Sequence, residues 1–174
     1  MITFAVPLNE LKPGRSDFGL NCGKEFFESF ENPEVLDSDV EALAIINKSG
    51  TYIGIDMEIK GSVTVSCDRC LADLKLPVDV SPKFSIKFTE DDSADDPGMD
   101  GDREIICVRP SDAVLDLGQI VYDYVMLSLP LKRVHPEGEC DSATVRYLSE
   151  EREAQETSDE SPFSALKGLF DRKQ

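Results

Sequence analysis

Residues 52–66 read YIGIDMEIKGSVTVS, with Ile53, Ile55, Met57, Ile59, Val63 and Val65 on one side of the alternation and Asp56, Glu58, Lys60, Ser62 and Thr64 on the other. Successive side chains of a strand point to opposite faces, so the stretch predicts a long half-buried strand, or a bent strand pair, from Tyr52 to Ser66. Gly61 stands where an apolar side chain is due, which predicts a bulge or bend with no room for one. Cys67-Asp-Arg-Cys70 follows at once. Four residues after Cys70 a second alternation begins, through Leu74, Leu76, Val78, Val80, Phe84, Ile86 and Phe88. The CDRC segment therefore reads as the turn of an antiparallel hairpin.

Upstream, residues 40–47 (VEALAIIN) predict another strand or buried segment, and Lys48-Ser49-Gly50 a tight turn into Thr51. Ile2, Phe4, Val6 and Leu8 alternate as well, and residues 104–109 supply one more strand. Asp116-Leu-Gly-Gln119 resembles a capping box and opens a helix through about Leu129, with an apolar stripe of Leu117, Ile120, Val121, Tyr124, Val125 and Leu127 to Leu129. Pro130 stops it. The expected class is α+β: a mostly antiparallel sheet, meander or barrel-like, covered by one main helix, with a C-terminal helical tail.

At 174 residues the chain suits one such domain, expected over residues 1–148. Residues 89–102 (TEDDSADDPGMDGD) hold seven acidic residues and no basic one, and read as a solvated loop. Calcium fails on spacing: with Asp96 first, the third and twelfth EF-hand positions fall on Gly98 and Cys107. A short charged helix is expected over 144–156, overlapping an acidic linker over 149–160. The linker delivers an amphipathic segment over 161–174, where Ser161 and Pro162 open a helix with Phe163, Leu166, Leu169 and Phe170 on one face. That segment either docks on its own domain or binds a partner.

The net charge of −17, with 18 scattered Lys and Arg, denies the chain the general attraction to phosphate that nucleic-acid binding rests on. A basic protein is the electrostatically easier partner. No run approaches the ~20 apolar residues of a membrane span. Five unevenly spaced cysteines without a signal-like leader point to the cytoplasm rather than to a secreted disulfide scaffold.

Cys67 and Cys70 on a tight turn, joined by His135 and Cys140 on the loop after the helix, make four soft ligands, enough for one closed tetrahedral zinc site. Two other readings stand beside it: small residues of an ordinary turn with a loop histidine, or a CxxC redox dithiol. Redox dithiols sit at helix N-termini, whereas here a strand follows. Cys22 and Cys107 read as buried apolar cysteines without a role. With its single His used as a ligand, the chain has no spare imidazole for a nucleophilic pair, and its glycines match no phosphate loop. No enzyme and no small-molecule substrate are expected.

Three motifs in order, Gly61-Ser-Val-Thr-Val-Ser-Cys-Asp-Arg-Cys-Leu71, Asp116-Leu-Gly-Gln-Ile120 and Ser128-Leu-Pro-Leu131 running into His135 to Cys140, resemble the large ribosomal RNA subunit accumulation protein family, the YceD family. The resemblance covers about residues 35–140, and the tail is similar to the closing segment of members. It implies a bacterial or organellar factor for accumulation of large-subunit rRNA in ribosome assembly, with no catalytic step. It places the family's first cysteine pair on Cys67 and Cys70; the second, commonly two cysteines, falls on His135 and Cys140. The partner expected with it is a ribosomal protein or a large-subunit assembly intermediate, direct RNA contact being left open. A protein-interaction module unrelated to ribosomes is the rival.

Overall fold

The computed structural model describes residues 4–90 and 98–147, which fall into two compact units. The first takes in the chain up to Ser66 and Asp73–Arg133; the second takes in Cys67–Ala72 and the chain from Val134 onward. The expected linker 149–160 and segment 161–174 lie outside the described residues.

The first unit runs β1 (Ala5–Pro7), β2 (Gly14–Gly23), α1 (Lys24–Glu28), β3 (Val35–Ser49), β4 (Tyr52–Ser66), β5 (Asp73–Val80), β6 (Lys83–Phe88), β7 (Met99–Asp100), β8 (Arg103–Val108), β9 (Val114–Asp116) and α2 (Leu117–Ser128). It is α+β and mostly antiparallel. The main sheet has the order β2-β3-β4-β6-β8-β7, with β5 also on β4, and among the described residues it is open rather than a closed barrel. β1 and β9 form a separate two-stranded ladder.

The 52–66 alternation forms one continuous strand. Ile53, Ile55, Met57, Ile59, Val63 and Val65 are all at most 1% exposed, each apolar side chain contributing about 1.5–3 kcal/mol by leaving water. β3 pairs with β4 along its length. The other edge of β4 is shared: Ile53–Asp56 pairs with β6 and Ile59–Ser66 with β5. Between these stretches, the Met57 N–H donates to Pro82 O at 3.0 Å, so the change of partner leaves that donor satisfied.

Gly61 is where the chain needs glycine, though no register shift occurs there; the irregularity of this ladder lies at Val35/Asp37. Gly61 sits at φ +147 opposite Val40. A Cβ on it would stand 2.1 Å from Asp39 O and 2.7 Å from Val40 Cα, so the space of the missing side chain is filled by β3 backbone.

β6 and β8 pair in parallel, the exception to the antiparallel expectation. Parallel neighbours need a crossover; the chain passes from β6 to β8 through the expected loop 89–102, of which 91–97 lie outside the described residues. Its last part is not loop: Met99 and Asp100 fold back on β8 through Gly101 at φ +67. Arg103 anchors the crossing, with Nη2 on Asp56 Oδ1 at 2.8 Å and Nη1 on the carbonyls of Ile55 and Phe84.

Asp116 caps α2 as expected, Oδ1 accepting from the N–H groups of Gly118 and Gln119. The reciprocal half of the box is replaced: Gln119 Nε2 donates to Asp123 instead. The buried stripe is Leu117, Gly118, Val121 and Val125. Leu127, two residues past Val125 and so on another side of the helix, is 78% exposed. The backbone leaves helical geometry at Leu129 (ψ 139), the residue before Pro130.

Two elements carried no alternation strong enough to announce them. β2 is glycine-rich and polar, with Leu20 and Cys22 buried. α1 adds Phe26 and Phe27, both at most 1% exposed, which join Phe4, Phe30 and Tyr122 in an aromatic cluster; Phe30 stacks on Tyr122 at 4.3 Å. Cys22 is buried as expected, and burial pushes its thiol up to about 12. Cys107 is only half-buried, because the residues of β8 from Ile105 to Val108 are all partly accessible.

Substituting Gly61→Ala combines an unfavourable φ with a backbone clash, and is expected to destabilise the protein by roughly 2–5 kcal/mol. Urea unfolding measures it; an unchanged midpoint would contradict the close approach of β3.

Candidate metal centre

The Cys67–Ala72 turn is built by its own backbone. Leu71 N–H donates to Cys67 O and Cys67 N–H to Ala72 O, both at 2.9 Å, closing the chain over two residues, Asp68 and Arg69, that face solvent. To turn back, Leu71 adopts φ +60, a left-handed conformation that costs an L-residue roughly 1–2 kcal/mol. Its side chain is 75% exposed. Cys67 and Cys70 point inward and are 0% and 5% exposed.

The second half begins at Val134. Glu139 N–H donates to Pro136 O at 3.1 Å and Gly138 sits at φ +89, a tight turn that brings His135 and Cys140 to one side. Asp141 then caps a helical segment over 142–147: its Oδ2 accepts from the Thr144 N–H at 2.9 Å and hydroxyl at 2.7 Å, which holds the carboxyl below its ordinary range. This is the described part of the helix expected over 144–156. The Asp-x-x-Thr spacing of residues 141–144 is the cap signal that would have placed its start.

All four predicted ligands come together within this unit. Cys67 Sγ lies 4.0 Å from Cys140 Sγ, and Cys70 Sγ lies 3.5 Å from His135 Nδ1. The four donor atoms lie within 4.8 Å of one another. A tetrahedron with metal–sulfur and metal–nitrogen bonds of ~2.3 and ~2.0 Å has edges of about 3.8 Å between sulfurs and about 3.5 Å from sulfur to nitrogen. The four residues are close enough to hold a metal ion, and their soft donors suit zinc. A disulfide needs sulfurs at ~2.05 Å, and all five cysteines are free thiols.

The backbone is already arranged for negative sulfur. Burial pushes the Cys67 thiol up, but the N–H groups of Cys70, Arg69 and His135 aimed at it bring it down to about 6. Cys70 is lowered by the N–H groups of Asp141 and Ala72. Cys140 moves the other way, raised by burial and by the two neighbouring sulfurs. Sequence spacing finds the ligands; it carries no signal for these amide donors or for the conformation of Leu71. Among the described residues of this unit, the buried side chains are Cys67 and Cys70 themselves.

Two outcomes follow from this geometry. Leu71→Gly relieves the left-handed strain and is expected to stabilise the protein by about 1 kcal/mol, with β-branched Leu71→Val losing at least as much in urea unfolding. In metal-free protein whose circular dichroism matches that of the untreated protein, thiolate absorbance is expected to show a step near pH 6 that Cys67→Ser removes. Because the folded Cys67 binds its proton less tightly than an ordinary thiol near 9, its contribution to stability is present above pH 9 and is lost as the pH falls through 6.

The chain matches the family model described as "Large ribosomal RNA subunit accumulation protein YceD" over residues 55–170. That span runs from within β4 through all four clustered ligands. No curated protein and no solved structure matches it significantly. No helix among the described residues is long and apolar enough to cross a membrane. On the family match, which covers more than half of its length, the chain belongs to the large ribosomal RNA subunit accumulation protein YceD family.

Proposed function

We propose that this chain is a non-catalytic factor that supports large-subunit rRNA accumulation during ribosome assembly, with Cys67, Cys70, His135 and Cys140 holding one structural zinc ion. The family match across the residues of the cluster carries the functional reading. The donor set carries the metal reading: three thiols and an imidazole within 4.8 Å is a constellation that repels itself once the thiols ionise, and a divalent cation removes that repulsion.

Bound there, zinc would supply charge neutralisation and folding free energy, not a reaction. Four protein ligands leave no open coordination position for substrate. The second unit gains most, since its described residues bury little beyond the two cysteines, and small units of this kind depend on metal to fold. Against a redox role, β5 follows the turn where a redox dithiol would have a helix. A closed structural site uses His135 and Cys140 as its third and fourth ligands. The net charge of −17 favours a basic ribosomal protein, or an assembly intermediate presenting one, over bare RNA as the direct contact.

Protein purified without chelator is expected to carry about one zinc per chain, Cys70→Ser to lose it together with thermal stability, and Cys22→Ser to keep it. Metal-free protein with a reversible Cys67–Cys70 disulfide would reverse the assignment. Depletion of the protein should lower large-subunit rRNA relative to small-subunit rRNA, with rescue by the wild-type chain and not by Cys70→Ser. Unchanged large-subunit rRNA and precursors would sink the ribosomal reading.

A further inference from the structure

At the edge of the main sheet, β2 pairs with β3 on one side only among the described residues. Asp39 O lies against Gly61 on β4, so by strand alternation Val40 turns its backbone groups toward β2, where Cys22 is its partner. Ser38 Oγ donates to Cys22 O at 3.2 Å, in keeping with a carbonyl that faces β3. The odd-numbered residues of β2, Asp17, Gly19 and Asn21 among them, therefore present their N–H and C=O groups at the outer edge. Protein edges of this length are ordinarily blunted by proline, by charged side chains, lysine above all, or by a bulge. β2 contains no proline or lysine, its two charged side chains, Arg15 and Asp17, pair with each other, and its ladder to β3 is continuous over ten residues.

Beside this edge lies a groove of about 570 Å³. Val6, Leu20 and Leu117 floor it, all buried, and half-buried Phe4, Leu11 and Phe18 wall it. The charged residues that line it are Glu10 and Asp17, with no basic side chain among them. Arg15 bridges Asp17 at 2.8 Å, but both partners are about half exposed, and such pairs are worth little and exchange readily. On the other side of Gly19 and Leu20 the surface continues through Glu41, Glu58 and a single ammonium, Lys60.

An unpaired strand edge, an apolar pocket next to it and an acidic rim are the three parts of peptide recognition by strand addition: main-chain hydrogen bonds hold the peptide, and alternate side chains select it. We infer that β2 accepts an extended, basic peptide segment of a partner protein as an additional strand, an apolar side chain entering the groove and lysine or arginine meeting Glu10 and Asp17. A second copy of this chain is disfavoured at the same edge by its own charge of −17, and phosphodiester backbone by the acidic rim. The inference rests on the ribosomal reading only for the source of the peptide, so binding by purified protein is decided independently of any rRNA phenotype.

The test uses full-length protein and a labelled peptide alternating lysine with valine, followed by fluorescence anisotropy at physiological salt. Three controls accompany it: the same peptide with alternate backbone nitrogens methylated, which keeps charge but cannot form a ladder, a glutamate–valine peptide, and the protein's sedimentation behaviour. Gly19→Pro removes an outward donor and is expected to weaken binding at least tenfold. Exposed Met99→Ala, on β7 at the opposite end of the sheet order from β2, should leave binding within about twofold. Should Gly19→Pro fail to fold, exposed Glu10→Lys and half-buried Phe18→Ala, each checked by its urea midpoint, are expected to weaken binding several-fold. Equal binding of the methylated or glutamate peptide would overturn the inference. So would wild-type affinity in a folded Gly19→Pro protein, concentration-dependent dimerisation abolished by that substitution, or tighter binding on deletion of residues 161–174, which would mean the chain's own end occupies the edge.

Discussion

Every buried backbone group of β4 needs a partner, and that requirement organises the first unit. A fifteen-residue strand lined by apolar side chains cannot leave an edge to water at its centre, so β4 carries β3 along one side and divides the other between β5 and β6. The division is possible because Pro82, which cannot itself donate, offers its carbonyl to Met57 where neither strand reaches. Gly61 lies in the β5 half, and its missing side chain is what lets β3 close onto the strand. The two features together explain how one strand serves three neighbours without an orphaned amide at the change of partner.

The second unit rests on a different currency. Its described residues hold too little apolar surface to make a core, and what they bury is sulfur. Five backbone amides aimed at Cys67 and Cys70 favour thiolate there, while the raised Cys140 shows that the third sulfur resists ionising beside the other two. Polar preorganisation and mutual repulsion pull against each other in the absence of a cation. With one, both act in the same direction, since amide donors to ligand sulfurs also fix their orientation.

Much of this was legible in the chain because burial on one face imposes period-two alternation, and β3, β4, β5 and β6 obey it. β2 was not legible: at an edge, half of its surface is wet and Gly14, Gly19 and Gly23 interrupt the pattern, so the strand is specified by β3 rather than by itself. The parallel β6–β8 pairing depends on a long-range crossover that no local signal encodes. α1 is a single turn and a half, too short for a periodic stripe, and its weight comes from Phe26 and Phe27 alone. The four ligands were legible from spacing and residue type. What prepares them for a metal, the amides of the knuckle and the left-handed Leu71, arises from backbone geometry that side-chain identity does not reveal.

The separation of the two half-sites along the chain also sets an order in time. Cys67 and Cys140 stand 73 residues apart, and synthesis at roughly 5–20 residues per second puts about 4–15 s between their appearances on the ribosome. For that interval Cys67 and Cys70 lack both their partners and the N–H groups of His135 and Asp141 that lower their thiols in the folded unit. Completion of the cluster therefore follows the emergence of α2, which ends at Ser128, ahead of His135 and Cys140 in the chain.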